Sequence, residues 1–229
     1  MTSQVRPSPK TQSLPESCLF TGPLEPTNER YAIAKIAGLK LCQAYRRQHG
    51  SDFVSVMPTN LYGPNDNFDS LSSHVLPALI AKIDGAVLNR LDPVEIWGSG
   101  RPRRESLHVD DLTDAVVFLM TTWSEQEPIN IGMGTDVTIA DLAQLIAEVV
   151  GFTGRFVFDD SKPDGTPRKL LDVSRLTALG CARGSNSRPG LNRPTSGTEP
   201  PARQRIRKQF VAAGLRELPN FTEPLSASA

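Results

Sequence analysis

Several classes of protein are set aside by what this chain lacks. It holds only three cysteines, Cys18, Cys42 and Cys181, an odd number without metal-ligand spacing. That argues against a disulfide framework and a cysteine-bound metal, and predicts reduced thiols in a cytoplasmic protein. Its 25 basic residues balance 25 acidic ones, so whole-chain electrostatics gives no reason to expect a nucleic-acid or membrane partner. The one basic cluster, Gln204-Arg-Ile-Arg-Lys-Gln209, has no aromatic platform beside it and reads as a solvated patch. No apolar run approaches the roughly 20 residues that span a bilayer. The N-terminal Met1-Thr-Ser-Gln-Val-Arg-Pro-Ser-Pro-Lys10 lacks the apolar centre of a secretory signal. A glycine-rich phosphate-binding turn is also missing upstream of Tyr31. Gly98-Ser-Gly100 and Gly132-Met-Gly134 have neither the third glycine nor the helix that such a turn requires.

What remains is 229 residues with 38% hydrophobic content, enough for a buried core. The run from Pro26 to Tyr45 has helical composition, with apolar Ile33, Ile36, Ala37, Leu41 and Ala44 recurring at helical spacing. On that helix Tyr31 and Lys35 share a face. A cation beside a phenol favours the phenolate, so the pair is a candidate proton donor and acceptor for a carbonyl or alcohol. The spacing also fits an ordinary exposed helix.

Residues 1–27 are polar and proline-rich and read as an extended or loop segment. Asp52-Phe-Val-Ser-Val-Met57 predicts a buried strand, and Pro58-Thr-Asn-Leu-Tyr-Gly-Pro64 the loop that breaks it, on the edge where open α/β sheets carry ligands. A helix is expected over Ser72–Ile83 with Pro77 in its first turn, then a strand at Val94–Trp97 and a Gly/Arg-rich loop over 98–104. A strand at Glu105–Val109 should lead into a helix from Leu112 to Trp123, capped by Asp110 or Asp111. Ile129–Ile131 reads as a strand. Thr138-Ile-Ala-Asp141 has capping-box spacing before a helix that Gly151 stops. An edge strand at Arg155–Phe158, a polar loop over 161–169 and a short helix from Ser174 complete the α/β order. From Ala182 to Gln204 the chain is too poor in apolar residues to order itself, and 205–216 offers a marginal helix.

Tyr31-Ala-Ile-Ala-Lys35, Met57-Pro-Thr-Asn-Leu-Tyr-Gly-Pro64, Ser72-Ser-His-Val-Leu-Pro-Ala-Leu79, Trp97-Gly-Ser-Gly100, Arg104-Glu-Ser-Leu-His-Val-Asp-Asp-Leu112 and Lys162-Pro-Asp-Gly-Thr-Pro-Arg-Lys169 occur in one order. Together they resemble the extended short-chain dehydrogenase/reductases of the NAD-dependent epimerase/dehydratase family, most closely the GDP-L-fucose synthase group, over residues 13 to 180. The resemblance implies 3,5-epimerisation and NADPH-dependent 4-reduction of GDP-4-keto-6-deoxy-D-mannose, with NADP(H) as cofactor, a GDP-sugar as substrate and a homodimer as assembly.

It further implies that Tyr31 protonates or polarises the C4 oxygen, that Lys35 holds the nicotinamide ribose, and that His74 is the acid for epimerisation. Pro58, Thr59, Asn60 and Leu61, with Lys35 and His74, would lie against the cofactor. Lys82, Trp97, Arg104 and Asp164 would meet the GDP-sugar. Lys82 stands where the group has arginine, replacing a planar fork by a point charge. The group's catalytic serine and cysteine fall against Thr2, Ser3 and Gln4, and Cys181 stands at an expected tryptophan. His108 reads instead as a structural histidine.

The expected fold is therefore an incomplete Rossmann-like parallel sheet plus a small α/β substrate-binding region, both within 28–180, with the N-terminal glycine-rich βαβ missing and a polar tail over 181–229. A catalytically inactive fragment that retains part of the GDP-sugar-binding surface is the alternative.

Overall fold

In the computed structural model the described residues are 13–24, 26–69 and 73–181. The expectations for residues 1–12 and for the tail from 182 onward lie outside them. The chain divides into two compact units. Among the described residues the first comprises those within 13–63, 103–136 and 166–181, and the second those within 64–102 and 137–165.

In the first unit, helix α1 (Glu29–His49) follows a 3-10 turn at Pro26–Asn28 and stops at Gly50, whose positive φ of 66° suits a residue without Cβ. Arg46, Arg47 and His49 in its last turn face the negative end of the helix dipole. Ala32, Leu39 and Gln43 point inward, whereas Ile33 and Leu41 are exposed. Apolar side chains occur on more than one face of this helix, so periodicity alone did not select the packed one.

Strand β1 (Val56–Pro58) begins four residues later than expected, because Asp52 turns back to pair with Arg46 at 2.7 Å and to accept from Ser124. The predicted loop over 58–64 contains a second strand, β2 (Asn60–Tyr62). Helix α2 (Val75–Asn89) and strand β3 (Val94–Trp97) follow. Then come β4 (Arg103–Arg104), β5 (Ser106–His108), α3 (Val109–Thr122) and β6 (Ile129–Ile131). Helix α3 starts three residues early. Its cap is His108, whose Nδ1 accepts from Asp110 N at 3.2 Å, displacing the aspartates proposed for that role.

Strand β7 (Val137–Thr138) leads into α4 (Ile139–Val150), and β8 (Phe156–Asp159), β9 (Arg168–Lys169) and α5 (Ser174–Ala178) end the described chain. The expected Thr138 cap is present, its Oγ1 accepting from Asp141 N at 3.0 Å.

Four strand pairings are parallel in register, β1 with β6, β2 with β5 and β4 with β9 in the first unit, and β3 with β8 in the second. Parallel partners need long crossovers, supplied here by helices and long connections. In the first unit Leu107, Ala115, Leu119, Ile129, Ile131 and Leu176 form one core, against which Val54 and Val56 pack half-buried. The N-terminal segment joins a smaller core through Leu14, Leu171 and Val173, with Leu14 N donating to Leu170 O at 2.9 Å. In the second unit Leu79, Ile80 and Ile83 of α2 and Leu142 and Ile146 of α4 are buried where the two helices pack together. Each such side chain contributes about 1.5–3 kcal/mol on burial. Among the described residues no helix is long and apolar enough to cross a membrane.

Candidate active site

Tyr31 and Lys35 sit at the exposed start of α1. The Lys35 ammonium lies 5.3 Å from the Tyr31 ring centroid, and the ring is 52% exposed. One helical turn therefore presents a phenol and a cation together. A cavity of about 300 Å³ reaches Tyr31, lined by Pro26, Asn28, Glu29, Arg30 and Tyr31.

The strap Pro58–Leu61 belongs to the same unit. Thr59 N donates to Ile131 O at 2.9 Å, Thr59 Oγ1 donates to Glu105 O at 3.3 Å, and Asn60 Nδ2 donates to the same oxygen at 2.9 Å. The Thr59 and Asn60 side chains are thus held by the protein itself, as a strap that meets a ligand through its backbone requires. Sequence reasoning missed the residue that holds them. Glu105 is 0% exposed, its Oε1 accepting from Gly134 N at 2.7 Å and its Oε2 from Leu171 N at 3.0 Å. Burial pushes this carboxyl above its ordinary value of 4.5, against the lowering effect of the backbone N–H groups that it accepts. Beside the strap, the His108 ring meets buried Tyr62 edge-on at 5.2 Å, in keeping with the structural reading of His108. Burial, with the charge of Asp111, pushes the Tyr62 phenol up to about 12.

Strands β4 and β9 form a short cationic ribbon in register, Arg103 opposite Arg168 and Arg104 opposite Lys169. Alternation sends the first pair to one face and the second to the other. Arg103 and Arg168 grip Asp136: Arg103 Nε donates to Oδ1 at 2.8 Å and Arg168 Nε to Oδ2 at 2.5 Å. Burial raises the Asp136 pKa, but the two arginine hydrogen bonds outweigh it and hold the carboxyl below its ordinary 3.8. Arg104, predicted to meet the substrate, is half-buried, with one guanidinium nitrogen donating to Arg103 O at 2.8 Å. Lys169, directly across from it, was not singled out from the sequence, although Pro167-Arg-Lys169 advertises the charge.

The remaining predicted residues belong to the second unit. His74 is the exposed N-cap of α2, and its imidazole makes no capping hydrogen bond. Trp97 is 53% exposed, which sets aside a core-anchor role. The Lys82 and Lys162 ammonium groups lie 5.5 and 5.6 Å from its ring centroid, and Trp97 Nε1 donates to Glu95 Oε1 at 3.0 Å. Lys82 is anchored through Nζ on Glu95 O at 2.7 Å. The Asp164 carboxylate accepts from Ser99 N and Ser99 Oγ, both at 2.7 Å, so it also braces the Gly98–Gly100 turn. Gly98 is required there: its φ is 85°, and a Cβ would lie 2.5 Å from Asp164 Oδ1. Tyr31, Lys35, Pro58 to Leu61 and Arg104 thus fall in one unit, and His74, Lys82, Trp97 and Asp164 in the other.

Comparison with known proteins bears on these groups. The chain is 58% identical over 191 residues to Putative GDP-L-fucose synthase 2 of Arabidopsis thaliana, covering 83% of this chain and 58% of that protein. It is 55% identical over 188 residues to GDP-L-fucose synthase of Escherichia coli, covering 78% of this chain and 59% of the relative. It therefore spans somewhat less than two thirds of the length of these curated relatives. Among solved structures, a GDP-L-fucose synthetase from Naegleria fowleri bound to NADP superposes with a TM-score of 0.73 at 30% identity, over 93% of this chain and 65% of that one. The α/β fold with parallel pairing is accordingly Rossmann-like. The family model described as NAD dependent epimerase/dehydratase matches residues 2–132, and the chain belongs to that family.

Proposed function

We propose that this chain carries the proton-transfer pair and the sugar-nucleotide contacts for converting GDP-4-keto-6-deoxy-D-mannose to GDP-L-fucose, by 3,5-epimerisation followed by 4-reduction. The observation that carries this reading is Tyr31, exposed, lining a cavity, and with the Lys35 ammonium 5.3 Å from its ring. The names of the relatives at 55–58% identity support the choice of sugar nucleotide.

The C4 ketone acidifies the protons on C3 and C5, so each centre inverts when a base takes its proton to give an enolate and an acid returns a proton on the opposite face. Tyr31 donates a hydrogen bond to the C4 oxygen and stabilises the charge that collects there. His74, an exposed imidazole at a helix start, fits the acid that returns a proton to carbon. Phenol and ammonium one turn apart also fit the ribose and carbonyl end of a nicotinamide nucleotide, and the strap 58–61 is held from behind by Glu105. NADPH, when bound, supplies the hydride that reduces C4. Tyr31 delivers the proton that completes the alcohol. Lys35 orients the ribose hydroxyls and keeps a positive charge beside the phenol. Arg104 and Lys169, opposed on neighbouring strands, suit a diphosphate. Trp97, flanked by Lys82 and Lys162, and Asp164, bracing the Gly98–Gly100 turn, fit further contacts to the nucleotide sugar.

A homodimer is part of the proposal. The outward face of α1, with Ala34, Ala37, Gly38, Leu41 and Tyr45 exposed, supports it. Nucleic acid and membrane are not among the proposed partners, consistent with zero net charge. Cys18, Cys42 and Cys181 are free thiols, which supports a reducing, cytoplasmic setting.

The test is loss of nicotinamide absorbance when the purified chain is given NADPH and the keto sugar. Turnover should fall by about 10²-fold or more in Tyr31→Phe, the scale of general acid catalysis. Equal rates with and without the phenol would remove the assignment.

A further inference from the structure

We infer that Asp136 is a positioning residue, a register lock that sets how Arg104 and Lys169 meet the diphosphate of the sugar nucleotide. This rests on the diphosphate reading of that cation pair given above. Strands β4 and β9 are two residues each, so backbone hydrogen bonds alone fix their register weakly. A slip of one residue would reverse the faces and oppose Arg103 to Lys169.

Asp136 is 8% exposed, and only the observed register brings Arg103 and Arg168 to its two oxygens together. Arg168 adds a second bond to Oδ1 at 3.2 Å, and Arg103 a second to the Asp136 carbonyl at 2.8 Å. One buried carboxylate is thereby bonded to both strands at the position before each proposed ligand. Two residues beyond Arg103, Glu105 accepts from Gly134 N and Leu171 N, tying the same three segments on the far side of Arg104 and Lys169. The cation pair is held from both ends by carboxylates that have no need to touch the ligand. A buried ion pair is a poor source of net stability but can select one arrangement among several.

Calorimetric titration of the full chain with GDP and with guanosine separates the diphosphate from the base. Asp136→Asn keeps the shape and removes the charge. It should weaken GDP about tenfold, the scale of one charge-assisted contact, and leave guanosine unchanged in protein shown folded by circular dichroism at the titration temperature. Arg168→Lys, which keeps the charge but loses the fork, should weaken GDP in the same selective way, and it decides the matter if Asp136→Asn does not fold. Unchanged GDP affinity in a folded variant, or an equal loss for guanosine, overturns the inference. If the unsubstituted chain binds GDP no more tightly than guanosine, the diphosphate reading itself fails and this inference falls with it.

Discussion

Replacing Glu105 by glutamine changes one oxygen to an NH2 group at a side chain that is 0% exposed. The amide carbonyl can keep the shorter bond, from Gly134 N at 2.7 Å, which leaves the NH2 facing Leu171 N, now 3.0 Å from Oε2. A charge-assisted bond of about 1.5–3 kcal/mol is lost and a buried N–H is left without its acceptor. The expected destabilisation near neutral pH is about 3 kcal/mol, or roughly 6–12 °C in melting temperature at this chain length. The loss should be local first: Leu171 pairs with Leu14, so amide exchange at Leu14 and Leu171 should accelerate most. The pH dependence has a definite sign. Glu105 binds its proton more tightly folded than unfolded, so between the ordinary value of 4.5 and its raised value the folded state holds the extra proton, and stability falls as pH climbs. Glutamine has no such proton, so the gap between the two proteins should be widest in acid and narrow as pH rises. Urea titrations at several pH values, followed by fluorescence of Trp123 in the same unit, measure it. A melting temperature within about 1 °C of the parent, or a gap that widens with pH, would refute the reasoning.

Two further outcomes are expected. In Gly132→Ala the new Cβ would lie 2.4 Å from Glu105 Oε1 and 2.9 Å from its Cδ, with no room to yield at a fully buried side chain, so the cost should be about 1–3 kcal/mol in urea denaturation. In Leu41→Glu the side chain is 58% exposed on the outward face of α1, so monomer stability should change by less than about 0.5 kcal/mol while sedimentation of the proposed dimer shifts to monomer; an unchanged mass would sink the proposed interface.

How far each feature could be read in advance depended on the chain distance over which it is determined. Helix α4 is specified within its own residues: Thr138 and Asp141 close the cap, leucine and isoleucine recur on one face, and Gly151 ends it. The Tyr31–Lys35 pair is equally local, since a single turn of helix places both groups, and its motif was legible for that reason. Strand β2 was not, because Pro58 and Gly63-Pro64 read as breakers, and only pairing with Ser106–His108, more than 40 residues downstream, makes Asn60–Tyr62 a strand. The inner face of helix α1 is not set by periodicity either, because apolar side chains stand on several of its sides.

Glu105 and Asp136 show the same limit in the site itself. A glutamate between arginine and serine in a strand-like run reads as solvent-facing, and its burial is dictated by N–H groups 29 and 66 residues away. Asp136 has no local signal at all; it is defined by arginines 33 and 32 residues to either side. Groups proposed to touch the ligand and borne on one turn of helix were therefore open to a local reading, although their spacing alone also fits an ordinary exposed helix. Those that hold such groups in place are made by long-range closure, and they emerge only once the segments are seen together. The division has a mechanistic consequence. Tyr31→Phe should leave binding largely intact while stopping proton delivery, whereas Asp136→Asn should leave the proton chemistry intact and weaken binding through the diphosphate, so the two substitutions separate kcat from KM.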